Sequence, residues 1–150
     1  QDAFLKNQGR THALPLCAST ADRAPATTVY SKPILMLTDE MSASSADIFS
    51  AMVQDNHIAT ILGYRTMGAG GSPEDDFAGV YSEGSTSVTR SLVVRPQSVV
   101  TPDYPTTNYI ENVGVRPDIL VDYMTTDNLV NKGAAFVKTF SDAAVALIKK

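Results

Sequence analysis

The sequence is poor in the residues that most often announce chemistry: one cysteine, two histidines and no tryptophan in 150 positions. Cys17 alone cannot build an internal disulfide framework or a multi-cysteine metal site. Any reading that needs an imidazole base has only His12 and His57 to draw on. No apolar stretch approaches the roughly 18 to 20 residues of a membrane span, and no basic and apolar leader opens the chain. Lysine and arginine form no stripe that could follow phosphates. With 12 basic against 16 acidic residues the formal net charge is −4, so nucleic acid is not an expected partner.

What is present is the composition of a soluble globular domain. At 43% hydrophobic and 19% charged residues, global disorder is excluded. A chain of this length can bury roughly 70% of its unfolded surface around one core. Residues 1–28 show no clear period and read as an irregular lead-in, with "ASTADRAPATT" as loop or linker. The organised part is residues 29–150. "TVYSKPILMLTD" places Pro33 before a continuous apolar run, the pattern of a strand buried on both faces. Ile48, Phe49, Met52 and Val53 then recur at helical spacing, and "HIATILGY" follows as a second strand. Residues 32–64 therefore read as one strand, helix, strand unit.

"GYRTMGAGGSPEDD" reads as a Gly-rich loop, and "GVYSEGSTSVTRSLVVRP" as a hairpin or meander around "SEGS". "DILVDY" is a short strand, with Asp118 as turn chemistry ahead of it. "TTDNLVNKGAAFVKTFSDAAVALIKK" closes the chain as a helix capped by Thr125 or Thr126. Phe136, Val137, Phe140, Ala144, Val145 and Ile148 form its stripe, and Gly133 bends it or splits off a first turn.

The informative stretch is "TDEMSASSADIFSAMVQDN", residues 38–56, where small hydroxyl residues crowd the strand-to-helix junction. A serine on the first turn of such a helix faces free backbone N–H groups and the positive end of the helix dipole, both favourable to developing negative charge. Ser44 meets these conditions best, and Ser45 would supply the next N–H to an oxyanion hole. The plainer reading is that Ser42 or Ser44 caps the helix while Ser45, Ala46 and Ser50 are small for packing. Asp39, Glu40 and Asp47 read as structural acids at a strand end and a helix start. "GAGG" lacks the Lys-Ser/Thr and the following helix of a phosphate loop.

"KPILMLTDEMSASSADIFSAMVQDNHIATILGYRTMGAGGS", followed by "IENVGVRPDI", resembles the C-terminal processing, or tail-specific, serine peptidase family, which includes the tricorn core protease. The likeness covers residues 32–71 closely and 109–121 more briefly. It implies an α/β fold of the crotonase/ClpP-like kind, peptide-bond hydrolysis through an acyl-enzyme, a polypeptide substrate and no cofactor or metal. It places the nucleophile on Ser44, an oxyanion donor on the Ser45 N–H, and a helper carboxylate on Glu111. Members are often exported, which implies a periplasmic or extracellular setting.

Many members activate the serine with a lysine at the position held here by Ala69. Arg65 stays protonated and cannot act as a base, and Lys32 lies at the far end of its strand. The departure implies the tricorn-like branch, with a Ser/His/Glu arrangement. His57 follows Ser44 by thirteen residues, about 20 Å along a helix, and cannot reach its hydroxyl. His12, in the irregular opening, reads as incidental. The expectation is a C-terminal part of a peptidase domain that is inactive without its upstream half. The rival expectations are a non-catalytic protein of the same fold that binds a peptide or an apolar ligand, and a homo-oligomerisation module using the stripe through Phe136 and Phe140.

Overall fold

The computed structural model describes residues 2–15, 27–102, 104 and 106–149; Cys17 and most of the expected loop ahead of residue 28 lie outside them. The chain divides into two units, residues 1–31 and 32–150. In the first, a short helix α1 (Asp2–Leu5) is closed by the Gln8 N–H donating to the Ala3 carbonyl at 2.8 Å, and His12 is exposed in irregular backbone.

In the second unit, β1 (Leu35–Thr38), helix α2 (Ser45–Asp55) and β2 (Thr60–Gly63) form the expected strand, helix, strand unit. The strands are parallel, in register from Leu35 opposite Thr60 to Thr38 opposite Gly63. β2 is central because a later strand, β7 (Ile119–Leu120), pairs with it in parallel on the other side. Asp118 extends that edge: its carboxylate accepts the Ile61 N–H at 2.8 Å. β1 departs from expectation, since Leu37 is 46% exposed and only Thr38 is buried. It lies at the edge of the described sheet with one paired neighbour, whereas β2 has two.

Helix α2 also turns a different face inward. Asp47, Ser50, Ala51 and Val53 are buried, and Phe49 and Met52 are more than half exposed. Small side chains let the helix lie close on β2, which leaves the bulky ones at its flanks. The helix ends by the pairing of His57 N–H with the Gln54 carbonyl and of Ile58 N–H with that of Val53, with His57 at φ 53° in the left-handed place where glycine is usual.

The Gly-rich loop is shorter than its composition implies. Residues 71–77 form β3 (Gly71–Phe77), antiparallel to β4 (Ser85–Leu92). A bulge between Ser72 and Pro73 accommodates the missing proline N–H. The acidic run is ribbon surface, with Arg90 bonded to Asp76 at 2.7 Å. That cross-strand partner is what the turn-like composition of "GSPEDD" hides. Strands β5 (Val94–Val99) and β6 (Thr107–Tyr109) form a second antiparallel pair. A line of backbone bonds joins the pieces: Val93 N–H donates to Gly70 at 2.8 Å, and the Val93 carbonyl accepts from Ile110 at 3.3 Å.

The C-terminal segment is two helices, α3 (Thr126–Val130) and α4 (Ala134–Ile148), split at Gly133 with φ 77°. Thr125 caps the first, its hydroxyl accepting the Asn128 N–H at 3.2 Å. Asn128 in turn accepts the Phe136 N–H at 3.0 Å, and Tyr123 lies 6.0 Å from the Phe136 ring. These contacts set the inward side of α4 at Phe136, Phe140, Ala143, Ala144 and Leu147, so Val137, Val145 and Ile148 are exposed, against the expected stripe.

The core is Ala51, Val53, Ile61, Ile110 and Val115, with Leu62 and Val113 also buried. Each buried Val, Leu or Ile among these contributes about 1.5–3 kcal/mol by leaving water. The core fixes the body of α2 and the turn around residues 110–115 to the sheet, and the surface features above it inherit that rigidity.

Candidate active site

The junction between β1 and α2 is built as a sharp elbow. Asp39 Oδ1 accepts the Met41 N–H at 3.1 Å and the Ser42 hydroxyl at 2.8 Å, an Asx-type turn that reverses the chain after Thr38. Ser44 then takes φ 57° and ψ −112° and exposes its side chain to solvent, immediately before the first helical residue, Ser45. A positive φ with that ψ lies outside the small left-handed well open to non-glycine residues. Such backbone costs about 1–3 kcal/mol and persists only where its surroundings enforce it. A plain N-cap has ordinary extended backbone, so capping alone does not account for this geometry.

The enforcing group is Asp47. Its carboxylate is fully buried. It accepts the Ser44 N–H at 3.0 Å, the Gly68 N–H at 2.9 Å and the Ala69 N–H at 2.9 Å. The Met67 N–H also donates to the Ser42 carbonyl at 2.9 Å. The elbow is therefore laced to the Gly-rich loop by main-chain donors at 67, 68 and 69. Ala69 is one carboxylate oxygen away from the Ser44 amide.

The same loop meets the segment that holds Glu111. Gly68, at φ 84°, accepts the Asn112 N–H at 2.7 Å through its carbonyl. Gly70 and Gly71 admit a close approach there. A Cβ on Gly70 would stand 2.7 Å from the Glu111 nitrogen, and one on Gly71 would stand 3.0 Å from Glu111 Oε2. The half-buried Glu111 side chain thus lies over Gly71, beside the wall that carries Ala69. Ser44 and Glu111 sit on two turns held by one loop, with no direct bond between them.

The other charged groups are elsewhere. His57 follows the C-cap Asn56 at the opposite end of α2, where the 11-residue helix sets it apart from Ser44. The Arg65 guanidinium donates to the Val113 carbonyl at 2.9 Å. Lys32 is exposed ahead of β1. A hollow of about 340 Å³ lined by Pro33, His57, Thr60, Asp118 and Leu147 lies at that far end, away from the elbow. Among the described residues no group of three or more His, Cys, Asp or Glu side chains is arranged to hold a metal. Among them, too, no helix is long and apolar enough to cross a membrane.

Residues 5–121 match the family description "Peptidase family S41". The chain belongs to that family. An uncharacterized protein of Chlamydia muridarum is 38% identical over 99 residues, 65% of this chain and 15% of the relative. A protein of Chlamydia pneumoniae is 33% identical over 110 residues, 73% of this chain and 16% of the relative. The crystal structure of mature CPAF is similar with a TM-score of 0.69 and 31% identity, over 83% of this chain and 22% of that one. The tricorn protease shares the fold at a TM-score of 0.51 and 23% identity, over 77% of this chain and 10% of that one. The S41 chain described here thus spans about a sixth of the length of its curated relatives. Its mixed α/β architecture is a serine peptidase fold.

Asp47 is the residue that reading along this S41 sequence undervalued. Its signal is the spacing Ser44-x-x-Asp47, a capping-box pattern in which the acid reaches back to the N-cap amide. The bonds to Gly68 and Ala69 have no local signature.

Proposed function

We propose that this chain is the nucleophile-bearing C-terminal part of a serine peptidase catalytic domain, of the tricorn-like branch that lacks the catalytic lysine. The observation that carries the reading is the strained, solvent-facing Ser44 at a strand-to-helix elbow, in a chain of peptidase family S41. Ser44 Oγ attacks the scissile carbonyl of a polypeptide. The Ser45 N–H, first of α2 and without an intrahelical acceptor, donates to the oxyanion. The serine proton passes to an imidazole and on to the departing amine, leaving an acyl-enzyme that water hydrolyses. His57 is at the wrong end of α2 and His12 lies in irregular backbone of the other unit, so we assign the imidazole to the upstream half of the domain. Glu111 orients that ring from the turn beside Gly71. No metal or organic cofactor enters the scheme.

A second reading, a peptide- or apolar-ligand-binding protein of the same fold, is favoured by Ala69 at the lysine position. One experiment separates the two. Intact-mass labelling with a fluorophosphonate, in which Ser44 Oγ bonds to phosphorus and fluoride leaves, is run on the complete protein and on this chain, with peptide mapping. An adduct on Ser44 of the complete protein, absent in Ser44→Ala, is expected. No adduct on Ser44 of the complete protein would sink the peptidase reading in favour of binding. Robust, Ser44-dependent proteolysis by this chain alone would overturn the dependence on an upstream half.

A further inference from the structure

We propose that Asp47 is the positioning residue of this site: it pins the Ser44 turn to the Gly68–Ala69 loop and so sets the direction of the Ser44 hydroxyl. The proposal rests on Ser44 being the nucleophile. The hydrogen bonds of this fully buried carboxylate go to main chain. Oδ2 accepts from both the Ser44 N–H and the Ala69 N–H, and Oδ1 accepts from the Gly68 N–H.

Two consequences follow for the reaction. The Ser44 amide is committed to Asp47, so the nucleophile's own N–H does not serve the oxyanion and the Ser45 N–H takes that part. The shared oxygen also couples two segments that are more than twenty residues apart in sequence. A substrate that displaces the loop wall at Ala69 therefore shifts the backbone of Ser44 with it. Only a carboxylate suits this place, because three donors converge on it from two sides. A carboxamide offers one oxygen and turns an NH₂ toward donors.

The test uses the complete protein with Asp47→Asn and Asp47→Glu, and with Val53→Ala as a control that loosens the core without touching the elbow. The readouts are the rate of fluorophosphonate addition to Ser44 per folded molecule, kcat and KM on an unfolded protein substrate, and hydrogen exchange. Asp47→Asn is expected to label roughly a hundredfold more slowly, in the range for loss of one aligned donor. Its kcat falls while KM stays within about twofold, as for an interaction that matters only in the transition state. The amides of Ser44, Gly68 and Ala69 lose protection together, and that of Leu62 keeps it. Val53→Ala melts earlier and labels at the wild-type rate per folded molecule.

Should Asp47→Asn fail to fold, Asp47→Glu, which keeps the charge one methylene out of place, is expected to label at an intermediate rate. Wild-type labelling per folded molecule in either variant overturns the assignment of Asp47 alone. A wild-type protein that is not labelled at Ser44 overturns the peptidase reading, and the role of Asp47 falls with it.

Discussion

Arg95 and Asp55, forty residues apart in sequence, form a two-pronged ion pair at the end of α2 opposite Ser44. One guanidinium nitrogen lies 2.5 Å from Asp55 Oδ1 and another 3.2 Å from Oδ2, and both side chains are at most 10% exposed. A third bond reaches Gln54 Oε1 at 3.0 Å. The pair clamps β5 to the end of the helix. Removing one partner strands a buried charge, which costs about 3–5 kcal/mol. Arg95→Met is therefore expected to lower the denaturant midpoint sharply with an unchanged slope. A midpoint shift equivalent to less than about 1 kcal/mol would show that water reaches the pair.

The strain at Ser44 gives a prediction of opposite sign for stability and for reactivity. Glycine adopts φ 57° and ψ −112° without a Cβ penalty, so Ser44→Gly should raise stability by about 1 kcal/mol while abolishing labelling by fluorophosphonate. A melting temperature equal to or below that of Ser44→Ala would show that the backbone there is relaxed.

Ser50 offers a stabilising substitution away from the elbow. Its hydroxyl is fully buried in α2 and, among the described residues, has no hydrogen-bond partner. Ser50→Ala removes that unmade bond and improves helix propensity, together about 1 kcal/mol or more. Thermal melting should move up by a few degrees. A decrease would reveal a partner for the hydroxyl.

Tyr123 supplies a pH signature. Partial desolvation raises its phenol above the ordinary value of 10.0, and the nearby carboxylates of Glu40, Asp39 and Asp122 add to that. A raised folded pKa means that the neutral phenol is favoured by folding. The stabilisation is fully present below pH 10 and is lost as pH rises through the folded pKa. Absorbance titration of the phenolate, wild type against Tyr123→Phe, is expected to show that the step missing from the variant lies above pH 10. Ionisation at or below 10 would contradict the acidic surroundings of this phenol.

The parts of the fold that were legible in the sequence are those with local signals. The strand, helix, strand unit of residues 32–64 announced itself by apolar period, the helix start at Thr125 or Thr126 by cap chemistry, and the break at Gly133 by the residue itself. The misread parts depend on partners distant along the chain. Whether Leu37 is covered depends on what lies beside β1, and β3 exists because Arg90 and the rest of β4 come back to meet an acidic run. The inward side of α4 was set by Tyr123 and Asn128, which no helical period within the helix could show. At the site, the address of Ser44 was legible from small residues at a junction. The backbone strain at Ser44 and the Gly68 and Ala69 amides on Asp47 were not, because both arise when residues 67–69 and 110–115 close over the elbow.

That closure also orders events in time. The turn that carries Ser44 is complete only after the Gly68 carbonyl has met Asn112, and this pairing spans more than forty residues. Contacts of such separation form late, because loop closure must precede them. A growing chain that has emerged only as far as β5 holds Ser44 in sequence without the turn at residues 110–115 that closes on the Gly68 loop. The elbow is thus a late feature of the fold, finished only when the segment that leads into the last strand of the sheet is in place.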